Sequence, residues 1–124
     1  IIIDENIESL DFAYTLGIHL RTKHDAIKVS KKNISFTLNN CLKKLQYLPI
    51  RNLIVAQDTE DFFDKYILPD LFKSDLNIIK ISGSDLQDMY ILSQCKYLIL
   101  SKHSTYSEWI YHLTRKKYSK TIWF

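Results

Sequence analysis

His19 and Arg21 stand two residues apart in the segment Ala-Tyr-Thr-Leu-Gly-Ile-His-Leu-Arg, residues 13–21. On an extended chain that spacing puts both side chains on one face. A guanidinium with an imidazole beside it suits an anion. The guanidinium grips two oxygens in parallel, and the imidazole bonds a third or orients its neighbour. A second polar group, Gln57-Asp58-Thr59, follows the apolar run 52–56. A third, Ser101, His103, Ser104 and Thr105, follows the apolar run 97–100. A helix that starts there offers unpaired N–H groups and the positive end of its dipole, which also suits a phosphate. Asp25 and Asp88 add carboxylates.

Each of these residues has a plainer reading. Arg21 at a strand end can sit in a surface ion pair worth ~0–1 kcal/mol. As a fixed clamp on developing negative charge it would contribute about 3–4 kcal/mol, by analogy with other donors aimed at such charge. His19 is either a satisfied core histidine or a ligand contact. Asp25 reads as a solvated loop carboxylate, Asp58 as a helix N-cap, and Asp88 as a capping or surface residue. Ser104 and Thr105 could form a simple cap, because a cap and an anion site share one geometry. His103 reads as a bystander, and His24 and His112 carry no signal.

Positioning these groups requires a regular scaffold. Short apolar runs at 13–21, 52–56, 77–81, 97–100 and 121–124 read as strands covered on both faces. Between them lie amphipathic stretches that read as helices. The first spans 35–47, with Phe36, Leu38, Cys41, Leu42 and Leu45 apolar and Pro49 as a stop. The second spans about 60–72, with Pro69 kinking or ending it. The third starts at Asp85 behind a Ser84 or Asp85 cap and uses Leu86, Met89, Tyr90, Ile91 and Leu92 as its apolar face. The fourth covers about 105–115. Residues 1–12 read as a short strand or tail and then a helical turn, and 22–33 as a charged loop. Strands alternating with such helices imply an α/β, Rossmann-like parallel sheet with right-handed crossovers. In a parallel sheet every strand points one way, so the three polar groups meet at one rim.

The totals narrow the classes. The chain has 124 residues, 46% of them hydrophobic, with two glycines and two prolines. That predicts one packed domain and excludes a disordered segment. A net charge of +3 with dispersed lysines gives no stripe for nucleic acid. No apolar run reaches the ~20 residues of a membrane span. Cys41 and Cys95, both inside expected helices, read as buried thiols rather than a disulfide or metal pair. The histidines lack metal-ligand spacing, and neither a nucleophile elbow nor a phosphate loop with Gly-Lys-Ser occurs. The basic clusters Lys31-Lys32 and Arg115-Lys116-Lys117 read as solvated faces or helix-end charges. The chain begins with Ile1 rather than Met, which leads us to expect a piece of a longer protein.

Three motifs, in order, resemble those of the fucosyltransferases that use GDP-fucose. His19-Leu20-Arg21 followed by Asp25 resembles the His-x-Arg segment, most of all that of the protein O-fucosyltransferases. Val55-Ala56-Gln57-Asp58 is similar to their Ala-Thr-Asp at a strand end, with Gln57 in place of Thr. Asp88-Met-Tyr-Ile-Leu-Ser-Gln-Cys95, then Ser104-Thr-Tyr-Ser107, is similar to their third motif. Cys95 and Trp109 lean toward the related pattern of bacterial α-1,2-fucosyltransferases. The likeness runs from Leu16 to the end. It departs from the family at Thr22, where some members have a second Arg, and at Tyr106, where the family has Phe. It also lacks a glycine-rich turn.

The resemblance implies one nucleotide-sugar-binding domain over residues 1–124, the C-terminal half of a GT-B glycosyltransferase whose acceptor domain lies upstream. Arg21 would pair with the β-phosphate of GDP-fucose, and His19 and Asp25 would shape the sugar-phosphate pocket, with Arg21 and His19 as the catalytic pair. Asp58 would line the same pocket. Asp88 would meet guanine or anchor its loop. Ser104, Thr105 and Tyr106 would meet the diphosphate and base. No metal cofactor is implied. The acceptor would be a hydroxyl of a glycan or protein, and a bacterial cytoplasm or membrane periphery fits better than a secretory lumen. No general base is visible, so the expected role of this stretch is donor binding. Two alternatives stay open: a GT-B transferase using another nucleotide sugar, and a non-catalytic flavodoxin-like module that binds a protein.

Overall fold

The computed structural model describes residues 5–21, 31–59, 61–71, 75–102, 104–114 and 120–124. Five strands form one sheet: β1 Thr15–Leu20, β2 Asn52–Gln57, β3 Asn77–Lys80, β4 Tyr97–Leu100 and β5 Lys120–Trp123. Their order is β3-β2-β1-β4-β5 and every pairing is parallel. The chain therefore starts at the centre, builds outward through β2 and β3, then returns to the other side of β1. The expected α/β architecture is present, with strand bounds shifted by a residue or two. The first strand starts later than expected. Phe12–Tyr14 forms a 3-10 turn instead, because Asp11 Oδ1 accepts from Ala13 N at 3.0 Å.

Among the described residues, four α-helices accompany the sheet: α1 Glu5–Glu8, α2 Lys31–Lys44, α3 Asp85–Gln94 and α4 Thr105–Leu113. Strand residues alternate between two cores, as a pleated sheet requires. Leu16, Ile18, Leu20, Leu53, Val55 and Ile99 pack with Leu38, Leu42 and Leu45 of α2 and with Phe62, Phe63 and Ile67. Ile54, Ala56, Leu98 and Leu100 pack on the opposite face with Ile91 and Leu92 of α3 and Ile110 of α4. Each fully buried Leu or Ile contributes about 1.5–3 kcal/mol. This two-sided burial explains why the strands read as continuous apolar runs.

Several expectations are corrected. The single helix over 60–72 is instead a π-helical turn, Phe63–Ile67, followed by a 3-10 turn, Leu68–Asp70. Pro69 has no N–H to donate back, so the helix cannot continue through it. Phe36 is 71% exposed and Leu86 63% exposed rather than in the core. The buried stripe of α2 is Ile34, Leu38, Cys41, Leu42 and Leu45, and Phe36 lies off it. In α3 the buried residues are Ile91, Leu92 and Ser93, all in its last turns, whereas Leu86 lies in the exposed first turn. Cys95 is the C-cap of α3 rather than an interior residue. Both cysteines are buried and neither is in a disulfide. No helix among the described residues is long and apolar enough to cross a membrane.

Gly17 sits in the middle of β1, where the end of α3 crosses the sheet most tightly. A Cβ there would lie 3.0 Å from both Cys95 Sγ and Leu92 Cδ2 and 3.2 Å from Leu98 Cδ2. Gly17→Ala is expected to destabilise the domain by about 1–3 kcal/mol, as overpacking does. A urea midpoint unchanged from the parent would show that α3 is held less tightly than this.

Candidate functional site

Parallel pairing puts all strand carboxyl ends on one rim, and a cavity of ≈ 340 Å³ opens there. Its lining comes from four places: His19 and Arg21 at the end of β1; Ala56, Gln57 and Asp58 at the end of β2; Ile81, Ser82 and Gly83 after β3; and Asp85 and Asp88 of α3 with Tyr106 of α4. The pleat explains the choice. His19 and Arg21 continue the face of Gly17, which packs against α3, while Leu16, Ile18 and Leu20 face the opposite core. This is the crevice outside the carboxyl ends of an open α/β sheet where such folds take ligands.

Arg21 Nε lies 3.7 Å from Asp58 Oδ2, a loose and partly exposed ion pair. The two residues are brought together because Leu20 pairs with Gln57 in register and Asp58 N donates to Leu20 O. The capping role expected of Asp58 falls to its neighbour: Gln57 Oε1 accepts from Phe63 N at 3.0 Å. His19 is 8% exposed and its ring stacks on Tyr106 with centroids 4.6 Å apart. Its Nδ1 lies 2.6 Å from Ser107 Oγ. Burial pulls the imidazole down from 6.5 to about 4; the Asp58 carboxylate opposes that and Arg21 reinforces it. His19 is therefore neutral at pH 7.

On the opposite wall, Ser84 and Gln87 form a capping box at the start of α3. Asp88 Oδ1 accepts from Gly83 N at 3.1 Å, so this carboxylate folds the preceding loop onto the helix. Burial raises its pKa, the Gly83 N–H lowers it, and Asp85 raises it again. Tyr106 bridges the walls: its hydroxyl donates to Asp85 O at 2.6 Å. Burial raises the Tyr106 phenol first, with Asp88 and Asp85 adding to it, so it stays protonated.

Thus His19, Arg21, Asp58, Asp88 and Tyr106 share one cavity. Ser104 and Thr105 lie outside its lining. Ser104 is buried and its Oγ accepts from Ser107 N at 3.2 Å, a helix cap; Thr105 is exposed. The Ser104 hydroxyl thus serves as the N-cap of α4, and the structure does not bring Ser104 and Thr105 into the cavity lining beside Arg21. Asp25 and His103 lie outside the described residues.

Two serines do more than their sequence context predicts. Ser101 Oγ donates to His19 O at 2.7 Å and accepts from Arg21 N at 2.9 Å. Ser107 Oγ accepts from Ser101 N at 3.0 Å. Ser107 lies three residues before Ile110, on the buried stripe of α4, and that spacing was the available signal. A polar side chain on a buried stripe needs a partner across the sheet. Among the described residues, no group of three or more His, Cys, Asp or Glu side chains could hold a metal ion.

The neutral, buried His19 sets a pH dependence of stability. Its folded pKa is depressed, so between 6.5 and about 4 the unfolded chain takes up a proton that the folded one refuses. Stability is expected to fall across that window, by up to about 3 kcal/mol. His19→Gln should flatten the curve there in urea titrations at a series of pH values; parallel curves for the two proteins would contradict this.

No family model matches the sequence, and no curated relative matches it. Among solved structures, the chain is similar to POFUT1 in complex with GDP-fucose, with a TM-score of 0.69 and 13% identity over 90% of this chain and 41% of that one. It is similar to POFUT1 in complex with GDP at a TM-score of 0.65 and 12% identity, again over 90% and 41%. It is also similar to the fucosyltransferase NodZ from Bradyrhizobium, at 0.61 and 18% identity over 86% and 37%. The chain therefore spans about two fifths of the length of these enzymes, and over that part its fold is fucosyltransferase-like.

Proposed function

We propose that this domain binds GDP-fucose as the donor half of a GT-B fucosyltransferase whose acceptor is a hydroxyl of a glycan or protein. The observation that carries the reading is the convergence of Arg21, His19, Asp88 and Tyr106 on one cavity. Two of the solved structures that share the fold hold GDP-fucose or GDP. A cavity of ≈ 340 Å³ lies at the lower end of the range for small-molecule sites.

The chemistry follows from charge. Transfer from a nucleotide sugar passes through an oxocarbenium-like state while negative charge builds on the diphosphate. A fixed guanidinium stabilises that charge in bidentate fashion without a metal, and this is the role of Arg21. Its ion pair with Asp58 is long and half exposed, so a diphosphate competes for it readily. Neutral His19 bonds an oxygen beside it. Asp88 and Asp85, on the far wall, are matched to the ring N–H and amino donors of guanine, while Tyr106 offers a ring face. A uracil presents fewer donors to those carboxylates, which gives a physical basis for choosing GDP over UDP.

Calorimetry with GDP and with UDP tests this. GDP is expected to bind at least tenfold more tightly. Arg21→Ala should lower GDP affinity about 100-fold, in line with the loss of one fixed charge-stabilising donor, with stability changed by less than about 1 kcal/mol. Binding of neither nucleotide, or equal binding of both, would contradict the reading.

A further inference from the structure

We propose that Ser107 is a positioning residue that fixes His19 in the Nε2–H tautomer, so that a neutral imidazole donates a hydrogen bond from Nε2 into the cavity. The inference deepens the proposed function, on which it rests for the identity of the acceptor. It follows from counting protons. Ser107 is fully buried, and its Oγ already accepts the Ser101 N–H at 3.0 Å. Its hydroxyl proton then needs an acceptor. Among the described residues the remaining partner of that oxygen is His19 Nδ1, at 2.6 Å.

Two arrangements are possible. Either Ser107 O–H donates to a bare Nδ1, or Nδ1–H donates to Ser107 Oγ. The second strands a hydroxyl proton in a fully buried site, which is destabilising. The first satisfies every group in the chain Ser101 N–H, Ser107 O–H, His19 Nδ1. It puts the single proton of a neutral imidazole on Nε2. Burial keeps the ring neutral, so no second proton is present at pH 7.

The backbone holds the ring in the same arrangement. Ser101 Oγ ties down both His19 O and Arg21 N, and the Tyr106 ring covers the imidazole at 4.6 Å. The ring nitrogen left over is Nε2, and His19 lines the cavity beside Arg21. In this state His19 cannot be a general base through Nε2, because the ring nitrogen not bonded to Ser107 already carries a proton. It serves as an uncharged donor that adds direction to the Arg21 charge. For GDP the matching acceptor is an oxygen of the diphosphate.

The test is a long-range proton–nitrogen correlation spectrum of the imidazoles in the whole chain at pH 7, recorded without ligand and then with GDP. The expected result is a His19 with Nε2 protonated and Nδ1 bare, whose Nε2 proton moves downfield when GDP is added. An Nδ1–H tautomer, or the mixture of a free imidazole, would overturn the proposal without any variant being made. Ser107→Ala, with its fold checked by near-ultraviolet circular dichroism, should release the ring to a tautomer mixture and weaken GDP about tenfold. A Ser107→Ala protein that keeps the Nε2–H form would also overturn it. Failure of GDP to bind a protein whose His19 is in the Nε2–H form would instead count against the proposed function and leave the tautomer standing.

Discussion

The carbonyl of His19 and the amide of Arg21 both end on one hydroxyl, that of Ser101. The β1–β4 register runs only from Leu16–Tyr97 to Ile18–Ile99, yet β1 continues to Leu20. Beyond that point the ladder cannot supply partners for β1 on this side. An unpaired backbone group buried there would cost about 1–3 kcal/mol. The Ser101 side chain takes the ladder's place. It holds the last residues of the central strand in line just where the connection through the sheet reverses. Everything proposed for the cavity depends on this, because His19 and Arg21 are aimed by the backbone that Ser101 secures.

The electrostatics of the rim show a division of labour. Arg21 is half exposed, so the charge it shares with Asp58 stays open to solvent and to a ligand. His19 is buried and uncharged, so it adds direction without adding a second cation. The carboxylates are spread around the cavity. Asp58 sits beside Arg21, while Asp85 and Asp88 belong to α3 on the other wall, where Asp88 also holds the Gly83 amide. An anion near Arg21 and a donor-rich ring near Asp88 would each meet opposite polarity. That arrangement suits a molecule with a charged end and a planar, N–H-bearing end.

The fold was legible because two-sided burial leaves a strong trace: runs such as Leu53-Ile-Val-Ala56 and Tyr97-Leu-Ile-Leu100 admit few readings. The grouping of His19, Arg21 and Asp58 at one rim was legible too, since it follows from strand direction alone. Local exceptions were not. Phe36 is apolar and close to helical spacing with its neighbours, yet the buried stripe is set by Leu38, Leu42 and Leu45. Ser104 and Thr105 misled for a physical reason: a helix cap and an anion cradle use the same residues at the same spacing, and only the third dimension separates them. The role of Ser107 is not legible in the sequence because its partner, His19, lies 88 positions away in the chain. Asp25 falls outside the described residues.

A second opening exists at the amino edge of the sheet, lined by Pro49, Ile50, Arg51, Asn52, Asp75, Leu76 and Asn77. It is a rival location for a nucleotide. Titration of the nitrogen-15-labelled chain with GDP, followed by backbone amide shifts, decides between the two. The expected changes are concentrated at residues 19–21, 56–58, 81–88 and 101–107. Changes concentrated at residues 49–52 and 75–77, with the carboxyl rim undisturbed, would contradict the proposed site.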